Sequence, residues 1–99
     1  MNQLQADRRF AILRQDFAPR IVRLNDDGSF SVFGPGQVGD DERRRVNVRI
    51  VNDQGDYVLT AEFFVGEDAD PLVRPIILRD DQQQHDFLIR CNDFLGGAR

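Results

Sequence analysis

The chain has one Cys and one His, the side chains most often used in nucleophilic and metal chemistry. Cys91 and His85 are six residues apart in a segment with helical periodicity, and that spacing turns them about 240° from each other around the axis. Cys91 also lies in an apolar stripe, where a free Cys packs as a small hydrophobic residue. We therefore predict a buried Cys91, a solvated His85, no nucleophilic pair and no zinc site.

Acidic residues and glycines also give no recognised site. The clusters at 26–27 and 67–70 lack the spacing of a calcium-binding loop, and no pair of carboxylates stands out as an acid–base pair. All thirteen basic residues are Arg, which excludes lysine Schiff bases and lysine-containing phosphate loops and indicates GC-rich coding of bacterial or phage origin. We predict no enzyme activity, no metal and no cofactor.

A run of basic residues is the strongest candidate for a binding site. Arg43, Arg44 and Arg45 follow one another, and Arg49 lies further along the same predicted strand. They could follow a phosphate backbone, with Phe64 and Phe33 as stacking surfaces. Alternatively, the acidic residues 40–42 neutralise the run and leave a solvated loop, which is the interpretation we favour.

Length and charge limit the remaining possibilities. The 99 residues fit one domain, and 40% hydrophobic residues with eight Phe indicate a folded core. The net charge of −4 does not favour general affinity for nucleic acid or anionic lipid. Without an apolar membrane span or a signal sequence, a cytoplasmic location is expected.

Two segments have helical periodicity. The first, about Gln3 to Phe17, has Ile12 pointing away from its apolar stripe. The second begins at the N-cap Asp80, has Gln83 as in a capping box, and ends at Gly96-Gly97. The two apolar stripes are Ala6, Phe10, Leu13 and Phe17, and Phe87, Leu88, Cys91, Phe94 and Leu95.

Two β-hairpins are predicted between the helices. In the first, residues 21–25 and 29–33 flank a three-residue turn, and in the second 45–53 and 56–65 flank Gln54-Gly55. Only one register of each sorts apolar from polar residues. It pairs Leu24 with Phe30, Val22 with Val32, Ile50 with Leu59, Val48 with Ala61 and Val46 with Phe63. Arg23 and Ser31 then fall on the other face of the first hairpin.

The remaining segments are predicted to be irregular. Residues 34–42 have no period and read as a flexible loop, and residues 66–71 read as an acidic loop. Pro75 confines residues 76–78 to a short edge strand.

Together these elements predict one α+β domain, residues 1–99, with helices on one face of a four- or five-stranded antiparallel sheet. The expected core residues are Phe10, Leu13, Leu24, Phe30, Val48, Ile50, Leu59, Phe63, Phe87, Leu88, Cys91 and Phe94. The other sheet face must meet water or a partner. The second hairpin contributes Arg45, Asn47, Arg49, Val51, Val58, Thr60, Glu62 and Phe64 to it.

The sheet, edge strand and helix of residues 45–96 resemble the arrangement in PUR-type and related single-strand nucleic-acid-binding proteins. That resemblance implies a basic sheet face, and this chain offers Arg45 and Arg49 there against Glu62. A face of mixed apolar and charged character is more typical of a protein contact. We therefore expect an adaptor or inhibitor that binds another protein or itself, with single-stranded nucleic acid as the alternative ligand.

Overall fold

The computed structural model describes residues 1–36 and 43–96. Helix α1 spans Gln3–Gln15 and begins with a capping box that the sequence analysis missed: the Asn2 side chain accepts from the Gln5 amide, and the Gln5 side chain accepts from the Asn2 amide. The predicted stripe is buried, and Ile12 is 58% exposed on the outer surface.

Six strands of the described residues form one antiparallel sheet in the order β1-β2-β3-β4-β5, with β6 also paired to β4. The strands are β1 (Val22–Leu24), β2 (Phe30–Phe33), β3 (Arg44–Asp53), β4 (Asp56–Val65), β5 (Asp68–Pro71) and β6 (Ile76–Ile77). Strands β5 and β6 pair with opposite ends of β4 along the same edge.

Both predicted hairpin registers are confirmed, including Leu24 opposite Phe30 and Ile50 opposite Leu59. The structure adds the register between the hairpins, in which Phe30 lies opposite Val48. Apolar residues from four strands therefore share one sheet face.

Both helices cover this apolar face. The rings of Phe10 and Phe17 pack against Phe30 with centroids 5.0 and 5.9 Å apart, and helix α2 places Phe94 against Phe63 at 5.1 Å. The sheet and helices therefore form the expected α+β architecture. The buried core comprises Ala6, Phe10, Leu13, Phe17, Phe30, Val32, Val46, Val48, Tyr57, Leu59, Ala61, Phe63, Leu78, Phe87, Cys91 and Leu95.

One residue of the predicted core is exposed, and three others are buried less than predicted. Leu24 is 63% exposed, because it lies on the edge strand β1, which has a neighbouring strand on one side only. Ile50, Leu88 and Phe94 are only partly buried at the margin of the core.

The acidic segment 66–71 was wrongly predicted to be a loop. Gly66, with φ at +60°, reverses the chain after β4, and β5 then pairs with residues 62–65. The hydrogen-bonding edge of a long neighbouring strand outweighs the poor strand propensity of this acidic sequence. The short strand near 76–78 is confirmed, and the predicted flexible loop lies mostly outside the described residues.

Helix α2 spans Asp81–Leu95, and Asp80 accepts from the Gln83 amide at 3.0 Å, as predicted for the N-cap. The reciprocal half of the expected capping box is absent, because the Gln83 side chain instead accepts from the Ile77 amide and ties the helix to β6. The helix ends before Gly96, whose φ is +68°. Within the described residues, neither helix has the length and apolar character needed to cross a membrane.

Candidate functional site

The sheet face opposite the helices, called here the open face, is organised in rows that run across the strands. One row brings together Phe33, Arg45 and Phe64 from β2, β3 and β4. The next row contains Ser31 and Glu62, because side chains alternate between faces along each strand. Sheet pairing thus gathers residues that are far apart in the sequence.

Three guanidinium groups lie over the two aromatic rings at one end of the open face. The Arg45 guanidinium is 4.1 Å from the Phe64 ring centroid. Those of Arg43 and Arg23 are 4.6 and 5.3 Å from the centroid of Phe33. These distances are within the range of cation–π attraction. We call Arg23, Arg43 and Arg45 the arginine cluster.

The arginine cluster has no ion-pair partner among the described residues. The acidic residues 40–42, which were expected to neutralise the run 43–45, lie outside them. The Nε atoms of Arg43 and Arg45 are shielded from solvent and have no hydrogen-bond partner in the described part of the chain. An unsatisfied buried donor costs about 1–3 kcal/mol. The third member, Arg23, donates its Nε–H to the Asn25 side-chain oxygen at 3.2 Å.

The structure separates two of the predicted basic residues from this cluster. Arg44 points to the helix side, where it donates to the Phe94 carbonyl at 2.9 Å and lies 5.2 Å from the Phe94 ring centroid. Arg49 is on the open face but forms an ion pair with Asp27 at 2.8 Å. The sequence run 43–45 is therefore not one continuous patch, because neighbouring strand residues face opposite sides.

A hydrogen-bonded network of small polar side chains supports the middle of the open face. Asn25 donates to both Ser29 and Ser31 at 3.0 Å, and Ser31 donates to Asn47 at 2.6 Å. Ser31 is fully buried even though it lies on this face. Satisfied polar networks of this kind rigidify their surroundings, so the strands carrying the arginine cluster are held in one register.

Asp27 joins the network to Arg49. It accepts from the hydroxyl and the amide of Ser29 at 2.5 and 3.0 Å. These bonds, and then the charge of Arg49, hold the pKa of the Asp27 carboxyl below its usual range. Asp27 therefore remains ionised at neutral pH and neutralises Arg49.

The other predicted residues of the face form its middle and far end. Thr60 and Glu62 line a concavity of about 320 Å³ beside Asn47 and Arg49. Val58 lies opposite both Val51 and the β6 residue Ile77. The open face therefore has the arginine cluster at one end, a polar recess in the middle and apolar residues at the other end.

Cys91 lies in the core and His85 lies on the surface of α2. Cys91 is fully buried, and burial raises the pKa of its thiol to about 12, so the nucleophilic thiolate is not populated at neutral pH. His85 is exposed on α2. In the part of the chain that the structure describes, no three His, Cys, Asp or Glu side chains converge as metal ligands.

Comparison with protein families, curated proteins and solved structures gives no match for this chain.

The sequence analysis missed the contribution of Arg23 to the site. The hairpin register placed Arg23 on the same face as Ser31, but its proximity to Arg43 depends on how β2 pairs with β3. The segment joining those strands has no periodic pattern from which that register could be predicted.

Proposed function

We propose that this protein is a non-enzymatic interaction module, an adaptor or inhibitor, whose open sheet face binds an acidic region of another protein. The observation that carries the proposal is the arginine cluster, stacked on Phe33 and Phe64 and without ion-pair partners in the described residues. Arg and aromatic residues are enriched where protein interfaces obtain most of their binding energy.

Stacking on Phe33 and Phe64 orders the guanidinium groups of the arginine cluster before a carboxylate binds. A guanidinium group lying on an aromatic ring has lost part of its conformational freedom before a ligand arrives, so less entropy is lost on binding. Its planar donors match the two oxygens of an Asp or Glu side chain. The adjacent recess at Thr60 and Glu62 offers room for a neighbouring side chain of the same partner.

The covered aromatic rings favour a protein over single-stranded nucleic acid. Proteins that bind single strands stack bases on exposed aromatic rings, but here a base would have to displace a guanidinium group from Phe33 or Phe64. Glu62, next to Phe64 in β4, and the net charge of −4 oppose any polyanion. Probes of equal charge therefore isolate the effect of the covered rings.

The proposal is tested by fluorescence anisotropy with a labelled Glu-rich peptide and a labelled oligothymidylate of equal charge, both at physiological salt. We expect the protein to bind the peptide more tightly than the oligonucleotide. The double variant Arg43→Glu/Arg45→Glu should weaken peptide binding at least about tenfold. Phe64→Ala should weaken it less, because Arg45 remains but loses its supporting ring.

The double variant Arg8→Glu/Arg14→Glu is the matched control, because both residues lie on α1, on the other side of the sheet from the open face. It makes the same total change in charge, so an equal effect would reduce the result to nonspecific electrostatics. Micromolar oligonucleotide binding that disappears in the Arg43→Glu/Arg45→Glu variant would instead identify a nucleic-acid-binding protein.

A further inference from the structure

The edge of the sheet beside the arginine cluster has free hydrogen-bonding groups. Strand β1 pairs only with β2 among the described strands. The Phe33 amide donates to the Ile21 carbonyl at 3.0 Å, and the Asn25 amide donates to the Ser29 carbonyl at 2.9 Å. Because such bonds alternate along an antiparallel strand, the amides and carbonyls of Val22 and Leu24 point outward, away from the sheet.

The two edges of the sheet differ in how well their sequences prevent pairing with a strand of another chain. Strand β5 carries Asp68, Asp70 and Pro71, and charges and Pro are typical of edges that avoid pairing with another chain. Strand β1 has no Pro and carries one charge, Arg23. Its last residue, Leu24, and the preceding Ile21 are 63% and 64% exposed. Of these two edges, β1 is the one suited to receiving another strand.

The positive charge of Arg23 favours an acidic strand as the one that pairs with β1. If β1 paired with β1 of a second copy so that Val22 met Leu24, Arg23 would lie directly opposite the second Arg23. Like charges in opposing positions destabilise a strand pair. A carboxylate at that position would instead meet Arg23, whose guanidinium group shares the Phe33 ring with that of Arg43.

We propose that an extended acidic segment of the partner protein adds to β1 as an antiparallel strand, with an Asp or Glu opposite Arg23. Hydrogen bonds to Val22 and Leu24 would supply sequence-independent affinity, and the arginine cluster would supply selectivity for acidic side chains. This inference rests on the proposed function, because it specifies how the acidic partner reaches the open face.

The test uses a short synthetic peptide of alternating Glu and Thr, with a Lys-for-Glu peptide and a version N-methylated at the Thr amides, which would face β1, as controls. Hydrogen exchange followed by NMR measures each amide of the protein directly. We expect the Glu peptide to slow exchange at Val22 and Leu24 at least about tenfold. The Lys peptide and the N-methylated peptide should give no such protection.

A pair of variants separates backbone pairing from side-chain contact. Leu24→Pro removes an outward amide that has no partner in the sheet, whereas Leu24→Ala keeps that amide and removes the same exposed side chain. We expect Leu24→Pro to bind the Glu peptide about tenfold more weakly than Leu24→Ala. The NMR spectrum of each variant establishes that it is folded.

The outcomes distinguish this inference from the proposed function. If Leu24→Pro and Leu24→Ala bind equally while Arg43→Glu/Arg45→Glu weakens binding, the open face binds acidic protein but β1 does not pair. If the protein binds none of the peptides, both proposals are wrong. A dimer detected by analytical ultracentrifugation and abolished by Leu24→Pro would show that the occupant of the edge is a second copy.

Discussion

Phe30 and Leu24 are cross-strand partners on the same side of the first hairpin, yet the structure assigns them opposite roles in stability. Phe30 is fully buried and contacts the rings of Phe10 and Phe17, whereas Leu24 is mostly exposed. Replacing each by Ala therefore tests the packing of the core with a control taken from the opposite strand.

The two substitutions should lower the free energy of unfolding by very different amounts. Truncating a buried Phe to Ala costs about 3–5 kcal/mol, and Phe30 should lie near the top of that range, at about 4–5 kcal/mol, because two ring contacts are lost. Leu24→Ala removes a largely solvated side chain and should change the free energy of unfolding by less than about 0.5 kcal/mol.

Urea denaturation followed by circular dichroism measures both changes. With a slope of about 1–1.5 kcal/mol per M, Phe30→Ala should lower the midpoint by about 3–5 M and Leu24→Ala by less than about 0.5 M. Since a domain of this size has about 5–15 kcal/mol of stability in total, Phe30→Ala could be unfolded in buffer. Phe30→Leu, expected to cost about 1–1.5 kcal/mol, then provides the measurable variant.

Equal midpoints for Phe30→Ala and Leu24→Ala would refute this account of the core. A large loss in Leu24→Ala would show that β1 is covered, and it would also remove the basis for strand addition at that edge.

Three further predictions concern single groups. Cys91 should resist alkylation in the native protein at pH 8, because burial raises the pKa of its thiol to about 12; rapid labelling would contradict its burial. The pKa of the Asp27 carboxyl is lowered in the folded protein, chiefly by its hydrogen bonds with Ser29. The ionised carboxylate therefore stabilises the fold at pH values above its usual pKa of 3.8. This stabilisation is lost as the pH falls below 3.8 and through the lowered pKa of the folded state. Asp27→Asn should therefore reduce the decline of the urea midpoint below about pH 3.8, and a decline equal to that of the unmodified protein would count against the interaction. Gly34→Ala would place a methyl group 2.7 Å from the Leu95 carbonyl oxygen and should lower stability by about 1–3 kcal/mol; an unchanged melting temperature would show that the end of α2 adjusts freely.

The sequence predicted local structure well where two constraints agreed. In both hairpins, the turn residues and the apolar alternation allowed only one register, and that register is observed. Strand β5 was missed because its acidic sequence contains no strand signal, and only the neighbouring β4 makes it a strand. Alternation assigned Leu24 to the core side but could not show that nothing would cover it.

The candidate site was predicted only in part, for a related reason. Arg45 and Phe64 were correctly assigned to the open face, because they lie in one hairpin whose register was known. Phe33 was named as a stacking surface, but its position opposite Arg45, and the inclusion of Arg23, depend on the pairing of β2 with β3 and so on contacts between hairpins. Arg44 was grouped with its neighbours by sequence, although strand geometry directs it to the opposite side.

The contacts between the two helical regions have a consequence for the order of folding. Arg9 donates to the Leu78 carbonyl across 69 positions, and Arg20 donates to Asn92 across 72. Closing such long loops costs about 3 kcal/mol more in chain entropy than closing a hairpin turn, so we expect the hairpins to form first and the helices to dock late. Until α2 docks, Phe63 lacks its Phe94 neighbour, and the nascent chain presents an uncovered apolar sheet that is prone to aggregation.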